Sequence, residues 1–220
     1  MTRIDLRREG EVFVLQMRDG ENRFSAELLG EVHAALDEVE RHAGPAALVT
    51  TGEGKFYSNG LALDALGGKS ADEIRAYLRG VHALFARVLA FPRATVAAIN
   101  GHAFAGGLML ALAHDQRVMR ADRGYACLPE IDLRLALQPG MTAIIAARLP
   151  AQTAHEAITS GRRYGGAEAG AAGIADEAVA EAALLPRAIE RAAALAGKDP
   201  ATLAALKRGL CRMGALSPEV

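Results

Sequence analysis

Apolar positions recur along this chain with two alternating periods. Residues 11–17 carry an apolar run between Gly10 and Asp19-Gly20 and predict a strand. From Ser25 the spacing lengthens to Leu28, Leu29, Val32, Leu36 and Val39, which predicts a helix with Ser25 as its cap and Gly44-Pro45 as its stop. A second strand is expected over 46–50. The loop Thr51-Gly52-Glu53-Gly54-Lys55 then leads into residues 56–61. Residues 72–90 predict a long helix with Ile74, Leu78, Val81, Leu84, Phe85 and Val88 on one face, ended by Pro92. Residues 95–99 read as a short buried strand, a helix opens at Gly106, and 117–120 read as a further strand. This alternation predicts an α/β fold with much parallel pairing. After Pro139-Gly140 the pattern turns almost wholly helical, with breaks near Gly161-Arg162-Arg163-Tyr164 and at Gly173. The expected organisation is a core over residues 1–140 and a helical C-terminal region over 141–220. No fixed-period repeat is present, and the Ala-rich stretch 167–196 reads as short helices.

Composition narrows the classes. The chain has 220 residues, 51% of them hydrophobic, enough for one full core. Its net charge of -1 gives no basic footprint for nucleic acid and no polybasic membrane patch. No apolar run reaches the roughly 18 residues a membrane span needs, and the polar start is unlike a secretory signal. Cys127 and Cys211 lie far apart without metal-ligand spacing, so both are expected to be reduced and partly buried, as in a cytoplasmic protein.

Candidate chemistry gathers between residues 58 and 132. Ser58-Asn59-Gly60-Leu61 and Ala105-Gly106-Gly107-Leu108 are small-residue turns, each following a predicted strand. Glycines at such turns leave backbone N–H groups uncovered, and two amides facing one another suit an oxygen that becomes negative during a reaction. The alternative is a pair of ordinary turns, since neither matches a dinucleotide fingerprint or a phosphate loop. Glu130 stands among Cys127, Leu128, Pro129 and Ile131. Desolvation there would raise its pKa and make it a useful base, whereas the bland reading is a turn cap or a surface partner for an arginine. Asp132 shares its face if the segment is extended. His114-Asp115 reads as structural, because no second histidine sits at helical spacing and no nucleophile elbow is present. His102 reads as a packed turn residue, and Arg162-Arg163 as an exposed pair at a helix end.

Taken together, several strings resemble the crotonase (enoyl-CoA hydratase/isomerase) superfamily. They are Asn22-Arg23-Phe24-Ser25, Lys55-Phe56-Tyr57-Ser58-Asn59-Gly60-Leu61-Ala62-Leu63-Asp64, Ala97 through Gly107, Leu128-Pro129-Glu130-Ile131-Asp132-Leu133, and Gly161 through Glu177. The resemblance covers nearly the whole chain. It implies a fold of repeated ββα units, a helical C-terminal part that supports trimers or dimers of trimers, and an acyl-CoA thioester as ligand. Coenzyme A would arrive with the substrate, with no separate cofactor and no metal. Carried over, the amides of Leu61 and Gly106 hold the thioester oxygen. Ser58, Asn59, Gly60, Leu61, Leu63 and Asp64 line the coenzyme A region, with Arg23 near a phosphate. Phe104, Gly106, Gly107 and Met109 lie beside the acyl group.

Hydratases of this superfamily hold a water between two glutamates. Met109 stands at the first of those places and Glu130 at the second. One carboxylate opposite an oxyanion hole resembles the 3,2-trans-enoyl-CoA isomerase pattern. It implies that Glu130 takes a proton from C2 and returns it to C4, with Met109 keeping water out. Decarboxylation, thioester hydrolysis, carbon–carbon cleavage and non-catalytic acyl-CoA binding stay open beside it. Arg134 occupies a place where the family has glycine, and the chain ends earlier than most relatives, which bears on the acyl pocket and on trimer contacts.

Overall fold

In the computed structural model, which describes residues 2–211 apart from the Cys211 side chain, the strands divide between two sheets. Strands β1 (Ile4–Glu9), β2 (Val12–Met17), β3 (Ala47–Gly52), β5 (Ala94–Ile99), β7 (Gln116–Arg120) and β9 (Glu177–Val179) form one sheet in that order. Within it β1 and β2 pair antiparallel, and every other pair is parallel. Strands β4 (Phe56–Ser58), β6 (His102–Phe104) and β8 (Ala126–Cys127) form a small parallel sheet.

Beyond the opening pair β1 and β2, which both lie in the long sheet, each ββα unit gives its first strand to the long sheet and its second to the short one. It then adds a helix: α2 (Ala71–Leu89) after β4 and α3 (Gly106–Ala113) after β6. The repeat expected from the resemblance is present. The units stack at backbone contact. A Cβ on Gly101 would lie 2.1 Å from the Lys55 carbonyl oxygen, and one on Gly124 would lie 2.5 Å from the Gly101 carbonyl carbon. Glycine is the residue that permits both approaches.

The long sheet buries both faces. Along β2, Phe13, Leu15 and Met17 join the core packed by α1 (Ala26–Arg41) and α2, while Val12 and Val14 turn to the opposite face. Alternation of period two produces this division. Ser25 caps α1 by accepting the Leu28 N–H, as the sequence predicts. The second face is covered by Leu184, Ala188 and Ala192 of α7 (Glu181–Ala193).

Two expectations are corrected. Strand β1 was not anticipated, because its half-exposed edge pattern alternates weakly with charge. The C-terminal region is also not purely helical. Besides α4 (Pro139–Arg148), α5 (Ala151–Ser160), α6 (Gly166–Ala171) and α8 (Pro200–Cys211), it supplies β9, which pairs with β7. Residues 141–211 thus complete the sheet and cover it, so no packing boundary falls at 140. In α8, Lys207 donates to the Phe91 and Arg93 carbonyls at 3.0 and 2.8 Å and pairs with Asp115 at 2.6 Å. The expectations for residues 212–220 and for the Cys211 thiol lie outside the described residues.

Candidate active site

The turns after β4 and β6 abut. Gly60 has φ +74°, and a Cβ there would stand 2.7 Å from the Gly106 nitrogen. One on Gly107 would stand 2.1 Å from the Ser58 carbonyl oxygen. Both glycines are therefore fixed by contact between the turns, as well as by backbone conformation at Gly60. Ser58 is fully buried. Its hydroxyl donates to the Asn22 carbonyl at 2.7 Å and accepts the Gly60 N–H at 3.1 Å.

Peptide planarity sets where two amides aim. The Gly60 carbonyl accepts the Phe24 N–H at 2.8 Å. In a planar trans peptide the Leu61 N–H points the opposite way. The Ala105 carbonyl accepts the Leu108 and Met109 N–H groups at 3.0 and 3.1 Å, so the Gly106 N–H is directed out of the start of α3. Among the described residues neither the Leu61 nor the Gly106 amide has a protein acceptor. The turn requires φ 50° and ψ -125° at Ala105, a conformation that favours glycine and costs an alanine about 1–3 kcal/mol. The Cys127 carbonyl holds it, accepting the Ala105 N–H at 3.0 Å.

A cavity of about 560 Å³ opens beside these turns. Leu61 and Ala105 line it, together with Phe104, Leu133, Leu137 and Glu130. Pro129 starts the 3-10 turn Pro129–Ile131 that presents Glu130, and the Leu135 N–H donates to the Glu130 carbonyl at 2.9 Å. One carboxylate oxygen of Glu130, Oε2, is buried without a hydrogen-bond partner. Burial pushes its pKa above the ordinary carboxylate value, offset in part by its own backbone amide. An apolar cavity, two unpaired amides and a desolvated carboxylate suit removal of a proton next to a carbonyl.

The cavity mouth is ionic. Arg23 pairs with Glu21 at 2.7 Å and Asp64 at 3.1 Å, and Asn59 donates to Glu21 at 2.8 Å. The Asn59 bond and the Arg23 guanidinium hold the Glu21 carboxyl below its usual range. Arg23, Asn59 and Leu63 all line the cavity.

The structure thus brings together Glu130, Leu61, Gly106, Phe104, Arg23, Asn59 and Leu63, with Asp64 at the rim. Four of the expected residues take other places. Ser58 and Gly107 are spent on packing the two turns, as described. Met109 is fully buried in the core and contributes nothing to the cavity lining, because α3 turns it inward. Asp132 does not share a face with Glu130, since the segment coils instead of extending. His114 is structural as expected. Its Nδ1 donates to the Leu110 carbonyl at 2.8 Å and its Nε2 accepts from the Thr50 hydroxyl at 2.9 Å, while burial pushes its pKa down to about 4. Cys127 is buried and unbridged, its thiol pushed up to about 11 by burial. Arg162 is taken by Glu156 and Glu168, both at 3.0 Å. Sequence reasoning missed Gln138, Leu78 and Met141 as lining residues. For Leu78 the helical spacing signalled a buried face but not an unfilled one.

Comparisons with known proteins agree with this geometry. The family profile for enoyl-CoA hydratase/isomerase matches residues 7–215. The chain is 34% identical to enoyl-CoA delta isomerase 2, peroxisomal, of Arabidopsis thaliana over 79% of its own length and 75% of the relative's. It is 35% identical to a probable enoyl-CoA hydratase of Bacillus subtilis, covering 84% and 72%. A Mycobacterium tuberculosis protein, described as a probable enoyl-CoA hydratase in one solved structure and as an enoyl-CoA isomerase in another, superposes with a TM-score of 0.89 at 28% identity in both, covering 98% of this chain and 91 and 93% of the solved ones.

Proposed function

The chain belongs to the enoyl-CoA hydratase/isomerase family, and on that premise we propose that it converts 3-enoyl-CoA to 2-trans-enoyl-CoA. The thioester oxygen lies between the Leu61 and Gly106 N–H groups. As the C2 proton leaves, charge moves onto that oxygen and both donors tighten; each is worth about 3 kcal/mol in such a site. Glu130 takes the proton and returns it at C4, which conjugates the double bond with the carbonyl. Arg23 meets the coenzyme A phosphates by exchanging its carboxylate partners. The same reading includes a homo-oligomer, a trimer or dimer of trimers, acting in the cytoplasm on fatty acyl substrates.

One observation carries this over hydration: among the described residues, Glu130 is the single carboxylate lining the cavity. The position α3 could have used for a second acid holds Met109, and that side chain is packed in the core. A hydratase reading draws on Gln138, a polar residue of the same cavity lining whose amide would have to orient a water. Incubation with 3-enoyl-CoA, followed by absorbance of the conjugated product and mass of the ester, separates the two. An unchanged mass with a new conjugated absorbance is the expected result. A product heavier by one water favours hydration, and undiminished turnover in Glu130→Gln removes Glu130 as the base.

A further inference from the structure

A second cavity, of about 510 Å³, lies on the far side of a single structural element. That element is the 3-10 turn Leu63–Leu66. Leu61, Leu63 and Leu66 face the first cavity, and Ala62, Ala65 and Leu66 face the second. Leu66 is thus common to both. The second cavity is lined between α1 and α2 by the buried Leu29, the half-buried Gly80 and the exposed Ala76, with Glu27, Lys69 and Glu73 among its other lining residues.

The dividing turn is lightly held. Inside it the Ala65 N–H donates to the Ala62 carbonyl at 3.0 Å. The tether to α2 is the Tyr77 phenol, which accepts the Ala62 N–H at 3.0 Å. Gly67 and Gly68 follow directly, and Gly68 has φ +78° with open space around it. Asp64 adds an ion pair with Arg23 at 3.1 Å, exposed to solvent, and the Lys69 N–H donates to the Leu66 carbonyl at 3.1 Å. A short turn held by these few contacts and followed by two glycines can be displaced without disturbing the sheets.

Resting on the isomerase reading for its ligand, we infer that Leu66 sets acyl chain length: a chain that outgrows the first cavity displaces Leu66 and enters the second. The class of ligand is therefore a long, unbranched, apolar acyl group. Its far end meets alanine, leucine and glycine surface, with no buried charge to satisfy. Tyr77 acts as a positioning residue, because its phenol keeps the turn closed while the first cavity is only partly filled.

The test uses saturated acyl-CoA esters of six, ten and fourteen carbons, which bind without reacting, with affinity read by calorimetry. Each methylene that gains cover tightens Kd by about fourfold until the room is used. Leu66→Ala opens the second cavity, so the affinity ratio of the fourteen-carbon to the six-carbon ester rises by about tenfold or more. Leu66→Phe closes it and lowers the ratio. Tyr77→Phe keeps the ring, removes the acceptor and raises the ratio, a shift that mere loss of stability would not give. A ratio unmoved in both Leu66 variants overturns the inference, as does failure of every ester to bind. Absence of 3-enoyl-CoA turnover with the ratio still shifting overturns the isomerase reading and leaves the role of Leu66 standing.

Discussion

The two walls of the candidate site are built on opposite plans. One, made of residues 58–61 and 105–107, is backbone against backbone. Its glycines have no space for a methyl group, and the Gly60 and Ala105 carbonyls and the Ser58 hydroxyl are all engaged. The other, made of residues 130–137, leaves Ile131, Leu133 and Leu135 with 52, 50 and 46% of their surface open, and Arg134 at φ 57°. In the proposed isomerisation, the groups that would meet a developing charge within tenths of an ångström belong to the first wall. The second has to supply only an apolar lining and one acid. Accuracy is concentrated where the chemistry would punish its loss.

The sharpest way to break this contrast is Gly107→Ala. Its new methyl collides with the Ser58 carbonyl, and we expect a loss of more than about 3 kcal/mol, read as little folded protein or a collapsed Tm. Next comes Glu130→Gln, expected to lower kcat by about 10²–10⁴-fold. The same change relieves a buried carboxylate oxygen that has no partner, so Tm at neutral pH should hold or rise by a few degrees. A fall in both would mean that the acid supports the fold.

A third test concerns the scaffold behind the rigid wall. His114 reaches Thr50, and Thr50 reaches Tyr57 of β4 at 2.8 Å. The folded imidazole titrates near pH 4 and the unfolded one near 6.5. The unfolded chain therefore takes its proton first as pH falls. Stability is whole above about 6.5 and drains by about 3 kcal/mol towards pH 4. Urea midpoints across that range should fall more steeply than in His114→Gln.

Fourth, if Glu130 is the base as proposed, its raised pKa should move the acid limb of kcat/KM above the ordinary carboxylate range, because the base acts in its ionised form. A limb at the usual value would point to an acid in open solvent. The smallest effect is reserved for the loose wall. Leu133→Ala should change stability by about 0.5 kcal/mol or less and act on KM more than on kcat.

The same division explains what the sequence could reveal. Long amphipathic helices such as α1 and α2 were legible within one residue at most ends, since their period is sustained over several turns. The glycine turns and the resemblance they carry located both amides. Strand β9 was not legible: three residues between alanine-rich helices offer no period to read. Residues 128–135 alternate apolar and polar like a strand, yet Pro129 and the left-handed Arg134 coil them, which is why Asp132 leaves the face of Glu130. Met109 shows the limit of matching by position, because its place on α3 is legible and its inward rotation is not.

The stacking of Lys55, Gly101 and Gly124 has one more consequence. Successive units behave as threads of a screw, and these contacts fix the pitch. Leu61 belongs to one thread and Gly106 to the next, so the gap between their amides is a property of the whole winding. A methyl wedged between threads far from the cleft would spread that gap, and an oxygen held by two donors would be left with one.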